Sequence, residues 1–228
     1  MKNEKSLTAI LFDFDGTLVN TTPLVLRSFH ATWEKVFGFT YDDLVFIRTF
    51  GMLLNTGIRE VMELSIAEGR MARPDDFEMK INEVLGVYRA FNSAWHDEMI
   101  EPFPGMIAIL QELRLRGFRL GIVSSKLRSG VLRALNLYGM ANLFDVIIGA
   151  EDTTNHKPHP EPLLIALSGL EVATNESLYV GDSTHDIAAG RAAQMLTAAA
   201  AWGPFPQSEL ESLHPDYLLI TPRDLLQF

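Results

Sequence analysis

The chain has no cysteine among its 228 residues. Disulfides and thiolate metal sites are therefore excluded, and a reducing compartment fits. No apolar run approaches the roughly 18 residues that a membrane span needs. The apolar stretch of MKNEKSLTAILFDFDG meets Asp13 too early for a signal-peptide core. A basic stripe is missing as well. Lys and Arg number 19 against 29 Asp and Glu, a formal charge of −10, and a field of that sign repels nucleic acid and anionic membranes. There are no internal repeats and no low-complexity segment. With 47% hydrophobic and 21% charged residues, we expect a folded, soluble, cytoplasmic protein. If its ligand is an anion, the positive charge must be supplied locally, by a metal or by a few placed lysines and arginines.

Four short apolar runs, TAILFDF from Thr8, LGIVSSK from Leu120, DVIIGAE from Asp145 and SLYVGDS from Ser177, each end in small or polar residues. Runs of this kind suit strands buried on both faces of a parallel sheet. Between them lie helical patterns. MIAILQELRLRG (106–117) places Ile107, Leu110 and Leu113 at helical spacing and stops at Gly117. SGVLRALNLYG (129–139) offers Ser129 as a cap and Gly139 as an exit. The alternation predicts an α/β fold, a Rossmann-like doubly wound parallel sheet. In such folds ligands bind at the carboxyl ends of the strands.

One region breaks the alternation. From about Thr21 to His96 only helical patterns occur, roughly four of them, the first opening at Thr21, Thr22 and Pro23. We therefore expect a core domain of residues 1–20 and 97–228 and an inserted all-helical domain of residues 21–96. Linkers are expected at Leu18–Thr22 and about Trp95–Phe103, and two hinges around an insertion suggest a lid. The aromatics Phe29, Trp33 and Phe37, at helical spacing, read as core.

The acids of DFDGTL need a partner. A calcium loop starting at Asp13 would want glycine at Leu18 and glutamate at Leu24, so that reading fails. A strand-end nucleophile fits better. Asp13 and Asp15 share strand parity, Gly16 permits a tight turn, and a hard divalent cation would offset the paired charges. Asp182 and, four residues on, Asp186 supply further acids after another strand. Ser124 and Ser125 end LGIV, where a hydroxyl and a helix-start amide can hold phosphate oxygens. Lys157 offers a cation in the proline-stiffened loop NHKPHPEP. Without cysteine partners or an HxxxH helix, His156, His159 and His185 are not expected to hold zinc. For His96 we expect a structural role near the hinge.

DFDGTL, the serine of IVSSK, KPHPEP and GDSTHD, in that order, resemble the four motifs of the haloacid dehalogenase superfamily. The resemblance implies a Rossmann-like core with a helical cap. It makes Asp13 the nucleophile of an aspartyl-phosphate reaction and Asp15 the general acid/base, with Ser124 and Lys157 holding the phosphoryl group. It further implies Mg²⁺ held by Asp13, the Asp15 carbonyl and Asp182, with Asp186 in support. Gly16 and Thr17 after the second acid resemble the phosphoryl-transfer members, and Gly51 would lie in a loop lowered onto substrate. The stretch VYRAFNSAWHDEMI is similar to the superfamily's inorganic pyrophosphatases, and a second phosphate could meet Arg89, Lys126, Arg48 or Arg59, with Ser125 alongside. Phosphoglycolate phosphatases share the same core motifs, so a small phosphomonoester is the alternative substrate. A phosphomutase and a non-catalytic phospholigand sensor are further readings. A monomer or homodimer is expected. One departure stands out: Gln194 occupies the place of the glycine in the family's usual Ala-Gly-Met step, and only local packing should change.

Overall fold

A computed structural model describes residues 7–228. The lysines near the N-terminus that bear on the signal-peptide reading lie outside the described residues. The chain divides into two units: one formed by the chain up to Asn20 together with Glu101–Phe228, the other by Thr21–Ile100.

The first unit is built on six parallel strands: β1 (Ala9–Phe12), β4 (Arg119–Val123), β5 (Val146–Ile148), β6 (Ser177–Gly181), β7 (Leu196–Ala200) and β8 (Tyr217–Leu219). A separate pair, β2 (Val19–Asn20) and β3 (Glu101–Pro102), runs antiparallel. The main sheet has the order β5-β4-β1-β6-β7-β8. Its first, second and third strands thus run outward on one side and its later strands on the other. Crossovers change direction beside β1, and the crevice at the carboxyl ends of β1 and β6 is the topological switch point. Every residue of β1 is fully buried, as expected of a strand covered on both faces. Helices α5 (Met106–Leu115), α6 (Arg128–Leu137), α7 (Glu161–Leu170), α8 (Thr184–Ala192) and α9 (Gln207–Ser212) connect the strands. Leu163, Leu167 and Leu170 of α7 pack with Leu11, Val123 and Tyr179 in one core cluster.

The second unit is all helical: α1 (Thr22–Phe37), α2 (Asp43–Ile47), α3 (Leu54–Ala67) and α4 (Phe77–Met99). Its core is aromatic. Phe29, Trp33, Phe46 and Tyr88 are buried and Phe37 packs against them, with Phe29 and Phe46 stacked at 5.0 Å between ring centroids.

Three local expectations need correction. First, α4 continues to Met99, so Trp95–Met99 is helix rather than linker, and the second unit ends at Ile100 instead of residue 96. His96 sits buried in its last turn, with Nδ1 2.7 Å from Asp97 Oδ1. The two chain crossings, moreover, are themselves ordered as the β2–β3 ribbon. Second, Ser129 lies inside α6, which starts at Arg128 behind Leu127. The Glu151 carboxylate, from the short 3-10 helix Ala150–Asp152 after β5, accepts the Arg128 amide at 3.0 Å and caps the helix from a distance in sequence. Third, β7 and β8 were not anticipated, because LTAAA is rich in alanine and YLL is only three residues long.

Candidate active site

β1 stops at Phe12, so Asp13 is the first residue beyond it. Its amide continues the ladder by donating to the Val180 carbonyl at 2.8 Å. On the other side of β1, Ser124 follows Val123 and its amide donates to the Ile148 carbonyl at 3.0 Å. Asp182 follows the last residue of β6. The parallel register therefore delivers all three to one end of the sheet. Asp15 lies in the turn and not on the strand, with only an isolated bridge to Val19. Strand parity thus does not bring Asp13 and Asp15 together. Gly16, at a φ of +82°, turns the chain directly behind Asp15.

Asp13, Asp182 and Asp186 are buried and offer carboxylate oxygens all within 4.8 Å of one another. Lys157, also buried, reaches Asp13 Oδ1 at 2.9 Å and Asp186 Oδ1 at 2.6 Å. Three carboxylates against one ammonium leave two negative charges uncompensated, and titration reflects it. Burial pushes Asp13 up to about 7 against the pull of Lys157, with the Asp186 charge adding to the rise. Burial, then the charges of Asp13 and Asp186, also raise Asp182. Asp186 moves the other way. Burial would raise it, but Lys157 and the hydrogen bonds from Ser183 together hold it below the usual carboxylate value. For Lys157, burial is outweighed by Asp13 and Asp186, and the ammonium is held more tightly than usual.

Each acid is held differently. Asp182 Oδ1 accepts the Thr17 hydroxyl at 2.7 Å. Both Asp186 oxygens are engaged: Oδ1 by Lys157 and by the Tyr179 hydroxyl at 3.0 Å, and Oδ2 by the Ser183 amide at 3.0 Å and hydroxyl at 2.5 Å. Ser183 and Asp186 form the capping box of α8. Asp15 is more open, and its Oδ1 receives Lys126 Nζ at 2.9 Å. The Ser124 hydroxyl accepts the Lys126 amide at 3.2 Å and so shapes the turn that carries Ser125 and Lys126.

The donor set fits a hard divalent cation. Asp13 and Asp182 each use one oxygen in the bonds above, and their second oxygens take none from the described residues. A doubly charged ion matches the two uncompensated charges, and all the ligand atoms are oxygen. Space is reserved around Asp182: a Cβ on Gly16 would come within 2.5 Å of its Oδ2, and one on Gly203 within 2.4 Å of its Cβ.

Three contributors escaped the sequence reading. Tyr179 stands in the run SLYVGDS, where by pattern it reads as one more apolar residue. A hydroxyl inside a fully buried strand needs a partner, and that was the available signal. Trp202 donates its indole N–H to the Thr17 carbonyl at 2.9 Å, and Gly203 packs on Asp182. Nothing local in AAWGPF announces a contact 185 residues back along the chain. Of the residues expected from the helical unit, Gly51 stands between α2 and α3 at φ +82°, and Arg89 is exposed on α4. Arg48 is exposed after α2. Arg59 is instead paired with Glu78 at 2.6 Å, beside the Phe77 ring.

Residues 10–200 match the profile of the haloacid dehalogenase-like hydrolases, and the chain belongs to that family. Among individual proteins, it is 35% identical to the pyrophosphatase PpaX of Bacillus pumilus, over 98% of this chain and 97% of that one. A haloacid dehalogenase-like hydrolase, so named provisionally, from Bacteroides fragilis superimposes with a TM-score of 0.82 at 29% identity, covering 95% of this chain and 98% of that one. A structure provisionally named a phosphoglycolate phosphatase, from Lactobacillus plantarum, gives 0.82 at 26% identity, over 97% of this chain and 99% of that one. No helix among the described residues is long and apolar enough to cross a membrane.

Proposed function

We propose that this protein is a Mg²⁺-dependent phosphohydrolase that works through an aspartyl phosphate on Asp13, with inorganic pyrophosphate as its substrate. The observation that carries the reading is the buried cluster of Asp13, Asp182 and Asp186 around Lys157 at the switch point of the sheet. The choice of pyrophosphate draws on the likeness to the PpaX of Bacillus pumilus. Asp13 bonds one carboxylate oxygen to phosphorus as the bridging P–O bond breaks and the second phosphate leaves. Asp15 serves that departure as acid and then takes a proton from the water that splits the acyl phosphate, which returns the Asp13 carboxylate. Lys157 and Ser124 hold the oxygens of the transferring group, where catalysis is chiefly positioning and charge stabilisation. Magnesium, when bound by Asp13, Asp182 and the Asp15 main-chain carbonyl, would supply the positive charge that lets two buried acids ionise side by side. Asp186, with both oxygens engaged, supports the site by holding Lys157.

On the same reading the protein acts in the cytoplasm, on a small soluble anion and not on nucleic acid or a membrane, as a monomer or homodimer. The helical unit acts as a cap. Gly51, Arg89, Ser125 and Lys126 contribute to substrate binding, an assignment that rests on sequence for the first two. The Lactobacillus plantarum relative favours a second substrate, phosphoglycolate or another small monoester. Phosphate release with Mg²⁺ from pyrophosphate, phosphoglycolate and a panel of sugar phosphates decides between them. A kcat/KM highest for pyrophosphate supports the first reading, and a preferred monoester replaces it with the second. A phosphomutase would instead pass its phosphoryl group to a sugar, and a sensor would form no phosphoenzyme on Asp13.

A further inference from the structure

Besides the Val123 carbonyl, at a long 3.5 Å, Lys157 Nζ has three N–H bonds and three close acceptors: Asp186 Oδ1 at 2.6 Å, Asp13 Oδ1 at 2.9 Å and the Tyr179 hydroxyl oxygen at 3.1 Å. Two of these acceptors belong to the scaffold. Asp186 is fixed by Ser183, and Tyr179 by its place in β6. The Tyr179 hydroxyl, having accepted from Lys157, has one proton to give, and faces the Val123 carbonyl at 3.1 Å and Asp186 Oδ1 at 3.0 Å. It therefore ties the end of β4 and the start of α8 to the same ammonium. The third acceptor, Asp13, is the group that changes when a phosphoryl group arrives.

We propose that Tyr179 is a positioning residue for phosphoryl transfer: its hydroxyl, together with Asp186, fixes two of the three N–H bonds of Lys157, so the third stays aimed at Asp13 and the phosphoryl group carried there. The inference rests on the proposed phosphohydrolase reading. A phenylalanine would fill the same buried volume, so the hydroxyl is not needed for packing. A buried hydroxyl is costly unless bonded, and here it stands at the meeting point of three elements of the site. Without it, that N–H has only the Val123 carbonyl, at 3.5 Å, to turn to, and the ammonium is free to swing away from Asp13. The consequence falls on the transition state, where charge on the transferring group is greatest, more than on ground-state binding.

The test is Tyr179→Phe, with Tyr179→Met as a second hydroxyl-free variant should the ring leave a packing defect. Turnover by the unaltered protein across the phosphate panel checks the substrate reading by itself. The variants are then assayed on whichever compound turns over fastest, so the two ideas fail separately. We expect kcat to fall about 10–100-fold, the range found when a residue supporting a site ligand is removed, with KM nearly unchanged and the melting temperature lower by only a few degrees, as a weakened buried hydrogen bond implies. Inhibition by vanadate, a mimic of the transition state, should weaken in parallel while inhibition by inorganic phosphate holds. A kcat within about twofold of the unaltered protein, or a loss matched by equal weakening of phosphate binding, overturns the inference. A protein that turns over no phosphate compound and binds neither anion overturns it together with the reading beneath it.

Discussion

Replacing Asp13 by asparagine should make the metal-free protein more stable while abolishing its turnover. The carboxyl is raised from 3.8 to about 7, chiefly by burial and in spite of Lys157. A folded-state value above the unfolded one means that the folded protein keeps the proton longer. Stability is therefore lost as pH rises from about 4 to about 7. At roughly 1.36 kcal/mol per unit, the raised carboxyl costs at most about 4 kcal/mol at pH 8, where it is ionised, and about 2 kcal/mol at pH 5, where the fold keeps it protonated. Relaxation of a real site reduces this, and we expect about 1–3 kcal/mol of gain at pH 8. For a chain of this size that corresponds to a melting point higher by about 3–10 °C. Asparagine keeps an oxygen for Lys157, and Lys157 keeps Asp186, so no buried cation is stranded. The assay is thermal melting in EDTA at pH 5 and pH 8, repeated with Mg²⁺. Mg²⁺ should raise the unaltered protein more than the variant and narrow the gap. An asparagine variant that melts at or below the unaltered protein in EDTA at pH 8, or a gap that ignores pH, would refute the electrostatic account. Residual turnover near the original rate would refute the nucleophile.

Lys157→Met removes the one cation among three buried carboxylates. It should cost about 3–5 kcal/mol at pH 8, with part of the loss restored by Mg²⁺, and denaturant melts with and without the ion read both. Gly16→Ala drives a Cβ to 2.5 Å from Asp182 Oδ2 at a φ of +82°. We expect turnover to fall at least about 100-fold with weaker Mg²⁺ activation, since a misplacement of about 1 Å carries a penalty of that order; normal kinetics would show that the turn is not held as described. Gln194 has a φ of +59°, where a side chain costs about 1–2 kcal/mol. Gln194→Gly should gain up to about 1 kcal/mol, after the greater freedom of the unfolded glycine is subtracted, and leave turnover unchanged. A lower melting point would show that the amide makes up for the strain.

Gln194 also shows how far the sequence reading reached. Its departure from the family's glycine was visible in the letters, and the positive φ supplies the physical reason for a glycine there. The four strand-end motifs were legible for a related reason. A strand buried on both faces must be apolar, so the first acid or serine after each run marks its carboxyl end. That signal is local, and it placed Asp13, Ser124 and Asp182. Four helices without a strand between Thr21 and His96 were legible from periodicity in the same way.

What the letters could not supply is the partner of each charge. Asp186 faces Lys157 and Tyr179, Asp15 faces Lys126, and Arg59 is held by Glu78. The letters give Asp186 a supporting part beside the metal, and only the fold shows what engages its two oxygens. Ser129 looked like a cap until Glu151 was found in that place. Trp202, after β7, reaches the turn after β1, and Gly203 beside it packs on Asp182. Composition and periodicity report which groups must leave water, because that depends on each residue and its near neighbours. Which buried group satisfies which depends on strand order and register, and those bring together residues more than a hundred positions apart only when the sheet is assembled.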